Sequence, residues 1–323
     1  MMKTVSFKKI VLSLLIVLTI LGMAYYQTEV FAAEKLTIQS PPIMAALPFL
    51  WMQDEGKLDG IVDLEVKISP DHKRALALIA KDEIDMMITG LNVGAKVYNK
   101  GIDLKLMNVN TWAVDYLLTY DFKAESWEDL KGKTLALPLK GGPLDFLARY
   151  LLIENDVNLD EIDFVYRPLP NAAKYFMAGK LDSIILPEPL VTVNMINNKK
   201  AHLSLDIQKE WGKLHEEDNR IPFVGLFVSG NYLKENREIS KIINGMYLKG
   251  IEWVNENPEA AAKLASKYFA MPAKVLQTAF KRVDLNYYSE GDTEKLINEY
   301  FSEILNMYPE MLGGNMPDEG FYF

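Results

Sequence analysis

The stretch Gly179-Lys180-Leu181-Asp182-Ser183-Ile184-Ile185-Leu186-Pro187-Glu188-Pro189 decides the fold class. Asp182 to Leu186 reads as a strand, and Pro187-Glu188-Pro189 as a stiff turn leading into a helix over Leu190 to Asn197. Upstream, the same strand-then-helix unit recurs. Thr134 to Leu137 is a strand and Pro143 to Glu154 a helix; Asp163 to Arg167 is a strand and Asn171 to Ala178 a helix. Further back stands an independent series. It comprises strand Leu36 to Gln39, helix Met44 to Asp54, the alternating strand Val62 to Ile68, a helix capped by Asp71 and running to Ala80, strand Ile84 to Ile88, helix Val93 to Tyr98 and strand Leu104 to Val109. Val114 to Tyr120 is a strand between the two series, followed by one helical turn, Ser126 to Lys133, closed at Gly132. Such a βα rhythm implies largely parallel sheets flanked by helices. Its restart, without a sequence repeat, implies two α/β lobes.

Downstream, Phe223 to Ser229 reads as a buried strand and everything beyond it as helical. Ile239, Ile242, Ile243, Met246, Tyr247, Gly250, Ile251 and Val254 follow helical spacing. Asn257-Pro258-Glu259 is a helix start with Asn as cap and Pro at the first position. Ala260 to Phe269 follows, then helices near Ala273 to Arg282 and Thr293 to Met307. A discontinuous layout accommodates this order. Residues 34–118 and 221–323 form lobe 1, with the helices as its C-terminal extension. Residues 119–220 form lobe 2, set between two crossing strands.

Composition narrows the function. The chain has 323 residues, 49% hydrophobic and 24% charged, enough for two packed lobes. Its net charge is −9, although the first 33 residues contribute Lys3, Lys8 and Lys9 against Glu29 alone. The acidic body repels phosphate backbones, so nucleic acid is not an expected partner. The chain has no cysteine, which excludes disulfides, thiolate metal sites, Cys nucleophiles and a lipid-modified N-terminal Cys. The N-terminus combines that basic start with an apolar run, Ile10 to Ala24, and small residues at Val30, Ala32 and Ala33. This is the pattern of an export signal cleaved near Ala33 or Glu34. The apolar run falls short of the roughly 20 residues of a membrane span. Residues 1–33 are therefore expected to be a signal peptide, with an uncleaved anchor as the alternative. The body is expected in the periplasm or at the outer face of the cytoplasmic membrane.

Four segments resemble a known family. They are Gly179-Lys180-Leu181-Asp182 with Leu186-Pro187-Glu188-Pro189; Ser126-Trp127-Glu128-Asp129-Leu130-Lys131-Gly132-Lys133-Thr134; Ala80-Lys81-Asp82-Glu83-Ile84-Asp85 with Asn92 and Tyr98-Asn99-Lys100-Gly101; and Asn257-Pro258-Glu259-Ala260-Ala261. In order and spacing they resemble the periplasmic solute-binding proteins of nitrate, sulfonate and taurine type ABC importers, a superfamily that includes binders of thiamine-precursor pyrimidines. The resemblance covers nearly the whole chain after residue 33. It implies a two-lobed periplasmic-binding-protein fold of type II, with two crossover strands. It also implies an extracytoplasmic binding component, monomeric, that captures a small polar organic or oxyanionic solute by hinged closure. Its partners would be that ligand and an ABC transporter permease with its ATPase. No cofactor and no metal are expected.

In open α/β sheets ligands bind beyond the carboxyl ends of the strands, and in a two-lobed binder these ends face each other. That rule selects the candidate residues. Ser40 and Pro42 follow the first strand, where Ser40 can bind ligand or cap a helix. Gly90 lets a ligand approach the backbone, and Asn92 can cap the next helix or contact ligand. Thr111 and Trp112 follow the Leu104 to Val109 strand, with Trp112 either stacking on a planar ligand or packing the hinge. Gly141 and Gly142 precede a helix whose start favours an anion, although Asp145 in its first turn competes for that role. Glu188 can accept from a ligand N–H or pair with a lysine or arginine of the opposite lobe.

No catalytic residue is expected. His72, His202 and His215 form no metal motif, and neither a Gly-x-Ser-x-Gly elbow nor a phosphate-binding loop is present. Two alternatives remain open. One is a biosynthetic enzyme on the same fold, of the pyrimidine or menaquinone type, although the pyrimidine-forming relatives rely on a Cys-rich motif that cannot exist here. The other is a ligand-sensing module.

Overall fold

A strand that enters a lobe from a central cleft must run away from it, whereas strands of a βα series point their carboxyl ends toward it. The computed structural model, which describes residues 34–323, shows this conflict resolved by mixed sheets. The expected signal peptide lies outside the described residues. The strands are β1 (Glu34–Ser40), β2 (Val62–Ile68), β3 (Met86–Gly90), β4 (Leu104–Ala113), β5 (Asp115–Tyr120), β6 (Thr134–Leu137), β7 (Asp163–Tyr166), β8 (Ser183–Pro187), β9 (Ala201–Asp206), β10 (Val224–Ser229) and β11 (Asp284–Leu285). One sheet has the order β11-β4-β10-β3-β1-β2 and the other β7-β6-β8-β5-β9. β1 pairs parallel with β2 and β3, and β6 parallel with β7 and β8. The two strands that start at the crossing, β5 and β10, are antiparallel to their neighbours.

The helices are α1 (Leu47–Asp54), α2 (His72–Ile79), α3 (Leu91–Asn99), α4 (Pro143–Glu154), α5 (Leu169–Met177), α6 (Leu190–Asn197), α7 (Ile207–Gly212), α8 (Gly230–Glu235), α9 (Arg237–Glu256), α10 (Pro258–Tyr268), α11 (Ala273–Phe280) and α12 (Glu290–Met307). Local chemistry places many of their ends. The Asp71 carboxylate accepts from Arg74 N at 3.0 Å and caps α2. Pro143 occupies the first position of α4. The turn Trp127–Leu130 is 3-10, held by a capping box between Ser126 and Asp129.

Both faces of the first sheet are apolar because period-2 alternation sends successive residues to opposite sides. Leu36, Ile38, Met86 and Ile88 pack with the α1 and α9 layer, including Phe49 and Tyr247. Met87, Leu106 and Phe227 belong to a second core that continues through α3 into the other sheet. Gly94 on α3 lies directly over Phe227. Ala is the better helix former by roughly 1 kcal/mol, but its methyl carbon would stand 2.1 Å from the Phe227 ring. Gly94→Ala is therefore expected to lower stability by about 2 kcal/mol. Urea unfolding checks this, and an unchanged or raised midpoint would contradict it.

Several expected elements differ. β4 runs on to Ala113, so Asn110, Thr111 and Trp112 lie within the strand and not after it. The return segment sustains it, with Phe223 N donating to Thr111 O and Ile221 N to Trp112 O, both at 3.0 Å. β9 and α7 were not legible locally. β11 breaks the all-helical C-terminal reading, because Asp284 and Leu285 find a ladder on β4. Asn257 does not cap α10 with its side chain; its Nδ2 donates back to Trp253 O at 2.9 Å. The C-terminal extension packs α9 and α10 against the first sheet's layer and also reaches the second sheet. There the Tyr300 ring of α12 stands 5.8 Å from Phe146 and 5.9 Å from Trp211.

Candidate functional site

The first sheet presents the ends of β1, β3 and β4 to the crossing. Ser40 closes β1; it is buried, and its hydroxyl donates to Pro41 O at 2.9 Å. Pro42 follows, half-buried. Gly90 closes β3, opposite Val224, and is the half-buried residue preceding α3. No side chain caps α3, so Asn92, buried in its first turn, does not serve as the cap. Leu91 N donates to Phe223 O at 2.9 Å and Phe223 N to Thr111 O. One residue of the return segment thus draws the ends of β3 and β4 together. Thr111 is buried, its hydroxyl donating to Asn110 Oδ1 at 3.1 Å. Trp112 is 0% exposed. Its indole N–H donates to Asn286 O at 3.1 Å, and its ring meets Tyr288 edge-on at 5.0 Å. The ring therefore braces the crossing against the C-terminal segment.

On the second sheet, the loop after β6 leads to Gly141 and Gly142. Gly141 has φ +69°, a left-handed conformation that suits glycine, and Gly142 is the residue preceding α4. The anion-favouring start of α4 already has an internal carboxylate beside it. Asp145, buried, accepts from Gly141 N at 2.7 Å, from Arg149 Nε at 2.9 Å and from the Tyr166 hydroxyl at 2.8 Å. Lys140 and Leu139 stay exposed at this rim.

Glu188 sits against the crossing itself, its N–H donating to Val114 O at 2.9 Å. Its buried carboxylate accepts from Thr192 N at 3.1 Å, the Thr192 hydroxyl at 2.9 Å and Arg282 Nη1 at 2.9 Å. Burial pushes the Glu188 carboxyl above its ordinary range, while Thr192 and Arg282 pull against that shift. Arg282 lies between α11 and β11, next to the first sheet, so the pair joins the two halves. The Tyr116 hydroxyl reinforces the junction by donating to Arg282 O at 2.7 Å.

The candidates thus fall into two groups. Ser40 and Gly90 close β1 and β3, Pro42 and Asn92 follow them, Thr111 lies near the end of β4, and Gly141 and Gly142 precede α4, while Trp112 and Glu188 are packed at the crossing. Sequence reading missed Gln39 and Thr89, each one residue before a chosen position. Both are buried, and Gln39 Nε2 and Thr89 Oγ1 lack partners in the protein. No local signal marks either residue, since each reads as an ordinary strand position. Two surface hollows lie away from these residues. One of about 330 Å³ runs along Met52, Leu58 and Leu64, and another of about 400 Å³ lies beside His215, Lys295 and Glu299. Among the described residues no His, Cys, Asp and Glu cluster could hold a metal ion, and no helix is long and apolar enough to cross a membrane.

Comparison with known proteins bears on the family and the fold. The family model described as NMT1/THI5 like matches residues 57–261. YtlA of Bacillus subtilis is 21% identical over 300 residues, 88% of this chain and 84% of YtlA. An ABC transporter structure from Parabacteroides distasonis superposes with a TM-score of 0.77 at 18% identity, covering 89% of this chain and 98% of that one. The periplasmic aliphatic sulphonate binding protein SsuA of Escherichia coli superposes with a TM-score of 0.72 at 15% identity, covering 87% and 94%. The matched segment runs from the start of β2 to α10, through both sheets and both crossings, and the chain belongs to the NMT1/THI5-like family, with the fold of the periplasmic binding proteins.

Proposed function

We propose that this chain is the extracytoplasmic substrate-binding component of an ABC importer, closing residues 34–118 with 221–323 against 119–220 around a small polar solute. The observation that carries this reading is the pair of strand-end sets facing one crossing, with buried polar atoms such as Gln39 Nε2 and Thr89 Oγ1 left unpartnered there. A buried polar atom without a partner costs about 1–3 kcal/mol, and a solute bound at the strand ends would offset that cost. Ser40, Pro42, Gly90, Asn92 and Thr111 are the proposed contacts of one half, and Gly141 and Gly142 those of the other. Glu188 and Trp112 set the hinge beneath them. The solute classes are sulfonate-, taurine- or nitrate-like anions and pyrimidine-like rings. The permease and its ATPase would receive the loaded, closed form.

A thermal-shift screen against these classes tests the reading. Ligand at 100 times its Kd stabilises by about 2.7 kcal/mol, and small-angle scattering with that ligand should show a more compact particle. No shift with any class, or a shift without compaction, would reject the hinged-binder reading. Gly142→Leu is expected to weaken binding at least about tenfold, or about 1.4 kcal/mol. A Cβ there would stand 3.1 Å from Leu139 O and push the loop at the α4 start. The backbone at Gly142, φ −93°, accepts any residue, so folding should persist. A normal titration curve would remove the α4 start from the site.

A further inference from the structure

Three buried polar side chains near the crossing are left incomplete by the protein. Asp115 opens β5, Gln208 lies in the first turn of α7, and Tyr300 is on α12. Each is at most 3% exposed. Each also holds an atom without a partner, namely Asp115 Oδ1, Gln208 Oε1 and the Tyr300 hydroxyl. Gln208 and Asp115 are neighbours, because Gln208 Nε2 donates to Asp115 O at 3.1 Å. That bond fixes the amide and leaves its oxygen as the free acceptor. Tyr300 is brought to the same place by its ring contact with Trp211, one helical turn beyond Gln208. The other side of the Tyr300 ring meets Phe146, one turn into α4 from Gly142. The three residues therefore belong to one neighbourhood, where β5, α7 and α12 meet at the crossing end of the second sheet.

Chance does not account well for such a cluster. A fold gains nothing from three adjacent incomplete polar groups when an apolar residue could fill each place. With Asp115 ionised, two of the free atoms are acceptors and the third is a hydroxyl that can donate or accept. They call for a partner rich in N–H donors, and the Trp211, Phe146 and Tyr300 rings suit one that is cationic.

We propose that Asp115, Gln208 and Tyr300 form an acceptor subsite that receives an ammonium or amidinium group of the bound solute. This rests on the reading of the crossing as the solute site, and it adds that the solute carries a cationic, N–H-donating end. All three residues are buried, so entry of the group requires the α12 contact with Phe146 and Trp211 to open. Burial raises the Asp115 carboxyl to about 8. The ionisable groups around it are Tyr116, next in its own strand, Glu188 beside its β8 partner Pro187, with Arg282 paired to Glu188, Asp206 opposite Tyr116 on β9, and Tyr300 on α12. Below that pH the empty site is protonated, and a cation entering it must displace the proton to solvent. Affinity for a cation should therefore rise with pH up to about 8 and then level off.

The test is calorimetric titration of the purified protein with ethylammonium and with benzamidine from pH 6 to pH 8, with methanesulfonate as an anionic control. The expected result is binding of at least one cation, with a Kd that falls up to about tenfold per pH unit and a heat that depends on the buffer, as proton release requires. Asp115→Asn and Gln208→Leu should each weaken it at least about tenfold and, in Asp115→Asn, remove the pH dependence. A melting temperature no lower than that of the unaltered protein shows that Asp115→Asn still folds; if it is lower, Gln208→Leu decides. Equal cation affinity in the altered and unaltered proteins overturns the proposal. So does failure of both cations to bind. If methanesulfonate binds while the cations fail, the acceptor subsite falls and the cleft reading survives. If the broad solute screen also fails, both fall.

Discussion

Replacing Arg282 with methionine is expected to destabilise the protein by about 3 kcal/mol near neutral pH, and by clearly less near pH 5. The Glu188 side chain is 0% exposed and Arg282 33% exposed, their ion pair closing at 2.9 Å. Removing the arginine leaves a buried carboxylate with only Thr192 to hold it. Pairing across the junction is worth little beside the penalty of leaving one charge behind. The pH dependence follows from the direction of the Glu188 shift. Without Arg282, burial acts on Glu188 with less opposition, so its folded carboxyl rises further above the roughly 4.3 of an unfolded chain. An acid raised in the folded state contributes its full stability below the unfolded value and loses it as pH rises through the folded one. The deficit should therefore widen from about pH 4.5 upward. Urea unfolding of both proteins at two pH values measures this. A deficit that is constant with pH would show that Glu188 is not the group left uncompensated. The same change should loosen the two halves, since Arg282 is tied to Glu188, Thr192 and Tyr116 together.

Trp112→Ala is expected to cost about 4 kcal/mol, within the range for emptying a buried Trp site. The residue is fully covered, donates its indole N–H to Asn286 O and braces Tyr288. Its loss would open a void where β4 leaves the first sheet and would release the segment that carries Arg282 and Asp284. Part of any change in ligand binding by Trp112→Ala would then be an effect on the packing of the crossing. Trp112→Phe, which keeps a ring but loses the indole donor, should recover roughly half of the lost stability. A loss below about 1 kcal/mol in Trp112→Ala would mean that the surroundings collapse onto the site and that the indole is not a brace.

The proposed site was partly legible for definite reasons. Ser40, Gly90, Asn92, Gly141 and Gly142 could be selected because the carboxyl-end rule needs only the order of strands and helices. Arg282 could not, because its partner Glu188 lies 94 positions away and nothing local marks an arginine as paired. Gln39 and Thr89 look like ordinary strand residues until their burial and missing partners are known. Asp115 reads as one acid in an apolar strand, and only packing by α7 and α12 makes it an incomplete buried carboxyl.

By itself the sequence determined the two βα series, the strands Val62–Ile68 and Thr134–Leu137, the helices Pro143–Glu154 and Leu190–Asn197, and the Asp71 cap. All of these depend on side-chain period and on turn chemistry within a few residues. Tertiary structure alone decided that β4 extends through Trp112, that Ala201–Asp206 and Asp284–Leu285 are strands, and that α12 reaches the second sheet. It also decided that Glu188 pairs with Arg282, which lies 94 positions away. Each of those features is stabilised by a partner far along the chain, and local periodicity carries no record of which distant segment will supply a hydrogen bond, a charge or an apolar face.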